Sequence, residues 1–143
     1  METRTLGKTG FQVGILGFGG IIVDRTGKKE ADCIVSEAVD WGVDYFDVAP
    51  AYDQAQYTLG PALKPYRKSV YLVCKTLKRD AKGADEQLHE SLKALQTDCF
   101  DIYQFHHLDD PDEINTVRIQ TACGSSDRLY RRRHGRAIRK AET

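Results

Sequence analysis

Short strand-like segments alternate with helix-like segments along most of the chain, and this alternation limits the possible folds more than any other feature. Segments rich in β-branched and aromatic residues predict strands at Ile15–Gly19, Val43–Asp47, Val70–Cys74 and Asp98–Phe105. Apolar residues at three- and four-residue spacing predict helices at Lys29–Trp41 and Ala84–Leu95. A short helix is predicted at about Ala55–Leu63, ending before Pro65, and a further helix after Pro111. Such alternation predicts parallel strands joined by right-handed helical crossovers. The fold class is therefore α/β, either a (β/α)8 barrel or an open doubly wound sheet.

A short hairpin is predicted ahead of this alternation. Arg4–Leu6 and Phe11–Val13 have extended character, and Gly7–Gly10 between them favours a turn. A complete (β/α)8 barrel requires about 250 residues, whereas this chain has 143. Four strand–helix units correspond to half of such a barrel. The two outermost strands of a half barrel would be open edges, and open edges favour self-association.

The end of the chain differs in composition from the rest. Residues 117–143 contain eight basic residues, seven of them arginine, and two acidic residues. Their net charge of +6 balances a net charge of −6 in residues 1–116. The apolar periodicity stops near Val117, and no fifth strand is recognisable. We therefore expect a four-unit α/β domain over 1–116 and an arginine-rich tail over 117–143 that is disordered or irregular.

The overall composition, with 41% hydrophobic and 29% charged residues, is typical of a soluble globular protein. No apolar run approaches the roughly 18 residues that a membrane span needs. The N-terminus lacks the apolar segment of a secretory signal, so a cytoplasmic location is expected. The four cysteines show no metal-binding or redox spacing, which predicts ordinary thiols and no metal site.

Four ionisable side chains come at or just after the predicted ends of three consecutive strands. Asp47 ends the second strand, Tyr52 lies in the following loop, Lys75 follows the third strand and His106 follows the fourth. Sites assemble at the carboxyl ends of parallel strands. Each residue also has a purely structural interpretation, such as a turn cap for Asp47 or a surface position for Lys75. Their joint occurrence favours a catalytic site.

This combination suggests a proton-transfer mechanism. A free tyrosine has a pKa of about 10, and a nearby ammonium group lowers the pKa of a tyrosine. Asp47 would pair with Lys75 and hold it in place, and His106 would orient a carbonyl group by hydrogen bonding. Tyr52 would then protonate the carbonyl oxygen as hydride reaches the carbon.

Several motifs in this order resemble those of the aldo-keto reductase family. The matching segments are Phe46–Tyr52, Leu59–Leu63, Val73–Thr76 and Asp101–His106, with Leu16–Gly20 as the first strand and the hairpin as the plug at the bottom of the barrel. The resemblance covers residues 4 to about 116. It implies a partial (β/α)8 TIM barrel, the first four β/α units, preceded by an N-terminal β-hairpin.

The resemblance also implies an activity and a set of site residues. Asp47, Tyr52, Lys75 and His106 are similar to the catalytic tetrad, with Tyr52 as the proton donor for reduction of an aldehyde or ketone. The implied cofactor is NADP, or less often NAD, with Gly20, Ile21 and Asp47 near its nicotinamide end. His107 stands where many members have tryptophan, which implies a contact with a small-molecule carbonyl substrate. Asp53 stands where glycine is frequent.

Two alternatives to a working reductase remain open. The chain could be a truncated or frameshifted half-barrel without activity, because the segments that bind most of the cofactor in this family belong to the second half of the barrel. Alternatively, Arg131–Arg136 could bind phosphate groups of nucleic acid or anionic lipid. A nucleic-acid partner is disfavoured because the tail has one interleaved aromatic residue, Tyr130, and no known binding motif.

Overall fold

A computed structural model describes residues 1–113, which form a hairpin and a four-stranded sheet with helical connections. The arginine-rich tail over 117–143 lies outside the described residues. The elements are β1 (Thr3–Thr5), β2 (Gln12–Gly14), β3 (Phe18–Gly19), a 3-10 helix (Gly20–Val23), α1 (Lys28–Asp40), β4 (Tyr45–Asp47), α2 (Ala55–Leu63), β5 (Tyr71–Thr76), α3 (Ala81–Ala94) and β6 (Ile102–Phe105). Residues 111–113 are helical, as expected for a helix beginning after Pro111.

The sheet topology confirms the predicted alternation. β1 and β2 pair antiparallel as the expected hairpin. β3, β4, β5 and β6 are neighbours in that order, and every pair is parallel. An open doubly wound sheet reverses its strand order at a switch point. No reversal occurs among these four strands, so the described part of the chain winds as a barrel does.

The core lies between the sheet and the helices. Phe46 in β4 and Leu72 in β5 are fully buried, and the Phe18 and Phe46 rings are 4.9 Å apart between centroids. Helix α1 contributes Ala31 and Val35, whereas α2 buries most of its length, including Leu59 and Leu63. Burial of these apolar side chains is the main source of stability for the sheet–helix packing.

A polar network crosses this core beneath the sheet. The Gln56 amide donates to Ser91 Oγ at 3.0 Å and to Cys74 Sγ at 3.3 Å. All three residues are buried. Burial raises the pKa of the Cys74 thiol to about 11, so this thiol stays protonated at neutral pH and has the structural role expected of it.

Two helices end in the same turn but with different residues in the left-handed position. After α1, Gly42 has φ of +86°, and the amide N–H groups of Gly42 and Val43 donate to the carbonyl groups of Val39 and Ala38. This confirms the predicted stop at Gly42. After α3, Gln96 occupies the same position with φ of +52°.

No helix of the described part is long and apolar enough to cross a membrane.

The first predicted strand is wrong over most of its length. Ile15 and Leu16 are 50% and 60% exposed, and only Phe18–Gly19 pairs with β4. The amide of Ile15 donates to the carbonyl of Glu2 at 3.1 Å, which keeps this residue with the hairpin. The segment predicted as one strand therefore has two parts. Its first residues connect the hairpin to the four-stranded sheet, and only its last two form a strand.

Other predicted boundaries also differ from the observed ones. β6 begins at Ile102 rather than at residue 98, because the Asp101 carboxylate accepts the Leu72 amide N–H at 2.9 Å. β4 begins at Tyr45 rather than at Val43. Helix α3 begins at Ala81 because Asp80 caps it by accepting a hydrogen bond from the Gly83 amide at 2.8 Å.

Candidate active site

The four predicted catalytic residues lie at the carboxyl ends of β4, β5 and β6. Asp47 is the last residue of β4, and His106 directly follows β6. Tyr52 lies in the loop between β4 and α2. Lys75 was expected just after its strand, but β5 continues to Thr76, so Lys75 projects from the strand itself. This position ties its backbone into the sheet, where it pairs in register with Gln104.

Lys75 and Asp47 form an ion pair between neighbouring strands. The Lys75 ammonium donates to Asp47 Oδ1 and, at 3.4 Å, to the carbonyl oxygen of Val48. Both side chains are partly buried. A charge removed from water needs a partner of opposite charge, and Lys75 and Asp47 are partners of each other. The predicted pairing of Asp47 with Lys75 is therefore present in the structure.

Tyr52 connects this ion pair to His106. The Lys75 Nζ atom lies 5.3 Å from the centroid of the Tyr52 ring, within cation–π distance. The Tyr52 and His106 rings also meet in an edge-on arrangement, with centroids 5.7 Å apart. Backbone turns fix the tyrosine, since its amide donates to Ala49 and its carbonyl accepts from Ala55. The four side chains are thus contiguous.

His106 is in an environment that favours its neutral form. Burial is the largest cause of its lowered pKa, followed by the positive charge of His107 when protonated, Lys75 and Arg79, while Asp47 acts in the opposite direction. The ring stacks on His107 with centroids 4.2 Å apart. Its Nδ1 atom is buried and has no hydrogen-bond partner within residues 1–113. A neutral imidazole can donate a hydrogen bond from one ring nitrogen and accept one at the other.

His107, the predicted substrate contact, is exposed next to His106 and has a left-handed backbone with φ of +55°. Its imidazole Nδ1 lies 3.7 Å from a carboxylate oxygen of Asp109. The structure therefore places His107 beside the catalytic candidates and accessible to a ligand. Contact with a substrate stays a prediction.

The predicted cofactor-contacting residues lie at the edge of the same site. Gly20 begins the 3-10 helix after β3, where a Cβ atom would lie 2.9 Å from the Asp47 carbonyl oxygen and 3.0 Å from Val48 Cβ. Only glycine permits this close approach. Ile21 follows with an exposed side chain, as does Ile22. Exposed apolar side chains that directly follow Gly20, which lies close to the Asp47 backbone, have the chemistry to contact a nicotinamide ring, so these residues fit the implied cofactor.

Two further contacts near the site were missing from the sequence interpretation. Arg25 forms an ion pair with Asp53, with Arg25 Nη2 2.6 Å from Asp53 Oδ2, and Asp24 accepts the Gln54 amide N–H at 2.8 Å. These contacts join the loop after the 3-10 helix to the loop that contains Tyr52. Asp53 has φ of +41°, which explains why glycine suits this position. No local pattern links residues 28 positions apart, so the sequence gives no signal for the pair.

The sequence interpretation also missed Arg79. It lies between β5 and α3, and its guanidinium reaches the backbone of His106 and His107. Its position a few residues after β5 was a weak signal for a role at this end of the sheet. Its partners are set by tertiary contacts.

Comparison with known proteins identifies the family. The model of the Aldo/keto reductase family matches residues 13–125. The chain belongs to this family. It is 34% identical over 149 aligned residues to the aldo-keto reductase YhdN of Bacillus subtilis, covering 91% of this chain and 44% of that protein. It is also 32% identical over 124 aligned residues to L-galactose dehydrogenase of Arabidopsis thaliana, covering 76% of this chain and 39% of the relative.

Solved structures of aldo-keto reductases share the fold. One from Pseudomonas aeruginosa superposes with a TM-score of 0.75 at 29% identity, covering 85% of this chain and 53% of that one. The holo form of AKR11C1 from Bacillus halodurans gives a TM-score of 0.70 at 29% identity, covering 87% of this chain and 47% of that one. The predicted partial TIM barrel with an N-terminal hairpin is confirmed. The chain spans less than half the length of the curated relatives described above.

Proposed function

We propose that this aldo/keto reductase chain carries the site for reducing an aldehyde or ketone to an alcohol with NADP(H), with NAD(H) as the alternative cofactor. The observation that supports this most is the continuous contact of Asp47, Lys75, Tyr52 and His106 at the carboxyl ends of three parallel strands. Family membership supports the oxidoreductase class. A carbonyl substrate is supported by the proton-donating role proposed for Tyr52 and the orienting role proposed for His106.

In this proposal each side chain has a separate task. Tyr52 donates its hydroxyl proton to the carbonyl oxygen, and the positive charge of Lys75 stabilises the negative charge that then develops on the phenolic oxygen. Asp47 holds the ammonium in place. His106, neutral at physiological pH, donates a hydrogen bond that orients the carbonyl oxygen. Bound reduced nicotinamide would supply the hydride to the carbonyl carbon.

Gly20, Ile21 and Asp47 would hold the nicotinamide end of the cofactor. Gly20 brings the chain close to Asp47, and Ile21 offers an exposed apolar surface. His107 would contact the substrate beside His106. These residues would place the carbonyl group within reach of Tyr52 and exclude water from one side of it.

Cofactor binding by the purified full chain tests the proposal directly. NADPH titration followed by fluorescence should give micromolar affinity, and the chain should reduce a simple aldehyde such as 4-nitrobenzaldehyde. Tyr52→Phe should retain NADPH binding and lose reduction, since it removes the donated proton but keeps the ring. Absent binding would support the alternative that this chain alone is inactive. Equal reduction by Tyr52→Phe would contradict the assignment of Tyr52.

The outer strands suggest self-association as a further property. β3 and β6 each pair on one side among the described residues, and unpaired strand edges attract other strands. Light scattering after size exclusion should then give a mass above that of one chain, and a monomer at micromolar concentration would contradict this.

Three other expectations stay predictions: a cytoplasmic location, the two-part division at residue 116 and the absence of a nucleic-acid partner. The last is tested by gel shift with nucleic acid at increasing salt. A salt-dependent shift that is lost on deleting residues 127–143 would contradict it.

A further inference from the structure

Arg79 makes more polar contacts at the carboxyl end of the sheet than any predicted catalytic residue among those described. Its Nη2 atom donates to the carbonyl oxygens of His106 at 2.9 Å and His107 at 2.7 Å, and lies 3.2 Å from Glu113 Oε2. Its Nη1 atom donates to the Leu77 carbonyl at 3.2 Å. The side chain is 22% exposed. One planar guanidinium therefore joins the loop after β5 to the segment after β6.

The backbone that Arg79 holds is in an unfavourable conformation. His107 has φ of +55°, a left-handed conformation that residues with a Cβ atom rarely adopt. This turn directs the His107 ring onto His106 and brings both carbonyl oxygens to the same guanidinium. Such a conformation persists when surrounding contacts compensate for it. Arg79 supplies two of these contacts.

We infer that Arg79 is a positioning residue, which fixes the backbone at His106 and His107 so that the His106 ring stays packed between Tyr52 and His107. The contact acts through the main chain, and the arginine touches neither substrate nor cofactor in this role. The consequence for catalysis rests on the proposed function, in which His106 orients the carbonyl oxygen. The structural consequence, the placement of the His106 ring, does not depend on that function.

The charge of Arg79 has a second effect on the same ring. The charged and titratable groups that face His106 are Asp47, Tyr52, Lys75, His107 and Arg79. Burial lowers the pKa of His106 first, and the positive charge of Arg79 contributes in the same direction. Loss of Arg79 would loosen the burial and remove a cation. Both changes raise the pKa of His106 toward the ordinary histidine value.

NMR of the histidine rings in the full chain tests the inference without requiring activity. The His106 resonances are assigned by comparison with His106→Gln and His107→Gln. In Arg79→Met, the contacts between the His106 ring and the rings of Tyr52 and His107 should weaken, and the pKa of His106 should rise. Arg79→Lys keeps the charge but loses the forked hydrogen bonds, so it should lose the ring contacts with a smaller change in pKa.

Lys82→Met is the matched control, because it removes one positive charge from the exposed first turn of α3. It should change neither measurement. Unchanged ring contacts and an unchanged His106 pKa in Arg79→Met would overturn the inference. Circular dichroism identifies folded variants. If both Arg79 variants fail to fold, Arg79 is a general stabilising residue and the positioning role is rejected.

Kinetics separates this inference from the proposed function. If Tyr52→Phe abolishes reduction, Arg79→Met should lower kcat by roughly 10- to 100-fold and change the KM for NADPH much less, because a displaced catalytic group affects the chemical step most. If Tyr52→Phe has no effect, the proposed function fails, while the NMR comparison still decides whether Arg79 places His106. An unaltered kcat together with altered ring contacts would restrict Arg79 to a structural role.

Discussion

Two arginines hold opposite ends of the same pair of strands, and they do so in different ways. At the amino ends of β5 and β6, Arg67 pairs with Asp101 at 2.9 Å, and the two side chains are 11% and 9% exposed. Arg67 also donates to Thr97 Oγ1 and to the carbonyls of Val70 and Cys99. The same carboxylate oxygen of Asp101, Oδ2, also accepts the Leu72 amide N–H at 2.9 Å. This network matches donors with acceptors inside the protein.

At the carboxyl ends, Arg79 holds backbone carbonyls, and the polar groups around it are less completely matched. Arg79 Nε and His106 Nδ1 are buried and have no partner within residues 1–113. Buried polar atoms without partners reduce stability. The comparison indicates that the amino end of the sheet stabilises the fold, whereas the carboxyl end maintains an arrangement suited to chemistry.

Removing Asp101 should give the largest effect. Asp101→Ala leaves the partly buried Arg67 without its counter-ion and the Leu72 amide without its acceptor, which should lower the free energy of unfolding by about 3 kcal/mol. Urea unfolding followed by circular dichroism measures this change. Glu86→Gln, which breaks an exposed ion pair on α3, is the control and should have no measurable effect. Equal stabilities of the two variants would remove the basis of the comparison.

A substitution at the carboxyl end of the sheet should affect the rate of aldehyde reduction more than the stability of the protein. Lys75→Met removes the cation beside Tyr52, and under the proposed mechanism aldehyde reduction should fall by roughly 10²- to 10³-fold. Its free energy of unfolding should change less than that of Asp101→Ala, because Asp47 keeps partial access to water. Steady-state kinetics and urea unfolding of the same sample check both parts. A rate equal to that of the unaltered chain would contradict the role of Lys75.

The helix ends near the amino side of the sheet allow a stabilising change. Gln96 has a left-handed backbone after α3, where Gly42 stands after α1. Gln96→Gly should therefore stabilise the protein by about 1 kcal/mol, and Gly42→Ala should destabilise it by a similar amount. A rise and a fall in melting temperature would show both effects. Destabilisation by Gln96→Gly would mean that the Gln96 side chain has contacts that outweigh its backbone strain.

His106 should make the carboxyl end sensitive to acid. Because its pKa is lowered in the folded protein, the unfolded chain binds a proton more readily below the ordinary value of 6.5. The stability that neutral His106 contributes is present above that value and is lost as pH falls through the folded pKa. Unfolding measured from pH 8 to 5 should show this decline. His106→Gln should flatten the profile in that window, and an identical slope in the variant would exclude His106 as its source.

The smallest expected effect concerns the exposed Arg25–Asp53 pair. The hydrogen bond from Arg25 is the first cause of the lowered pKa of Asp53, and the hydrogen bond from Gln54 is the second. Arg25→Gln should therefore raise that pKa toward the ordinary aspartate value. A depressed folded pKa contributes stability above the unfolded value and loses it in acid. Carboxyl-carbon NMR titration measures the change. Equal Asp53 titration curves in both chains would show that the pair does not persist in solution.

Much of the fold was predictable because secondary-structure patterns are local. The predicted bounds of α2 match the observed ones and those of α1 lie within one residue, and Gly42 marked the stop after α1. Residues at strand ends were also predictable, since parallel winding brings all carboxyl ends to one edge. For this reason Asp47, Tyr52, Lys75 and His106 could be proposed together before any contact was known.

Contacts between distant residues were decided by the tertiary structure. The sequence contains Arg67, Asp101 and Arg79 but has no periodic signal for pairs separated by about 30 positions, so their partners follow from strand register and loop packing. Exposure of Ile15 and Leu16 was likewise set by the junction between the hairpin and the sheet. The sequence by itself determined the order of elements and the chemistry available at the strand ends. Three-dimensional packing decided which charges are buried and matched, because burial and distance are properties of the folded chain.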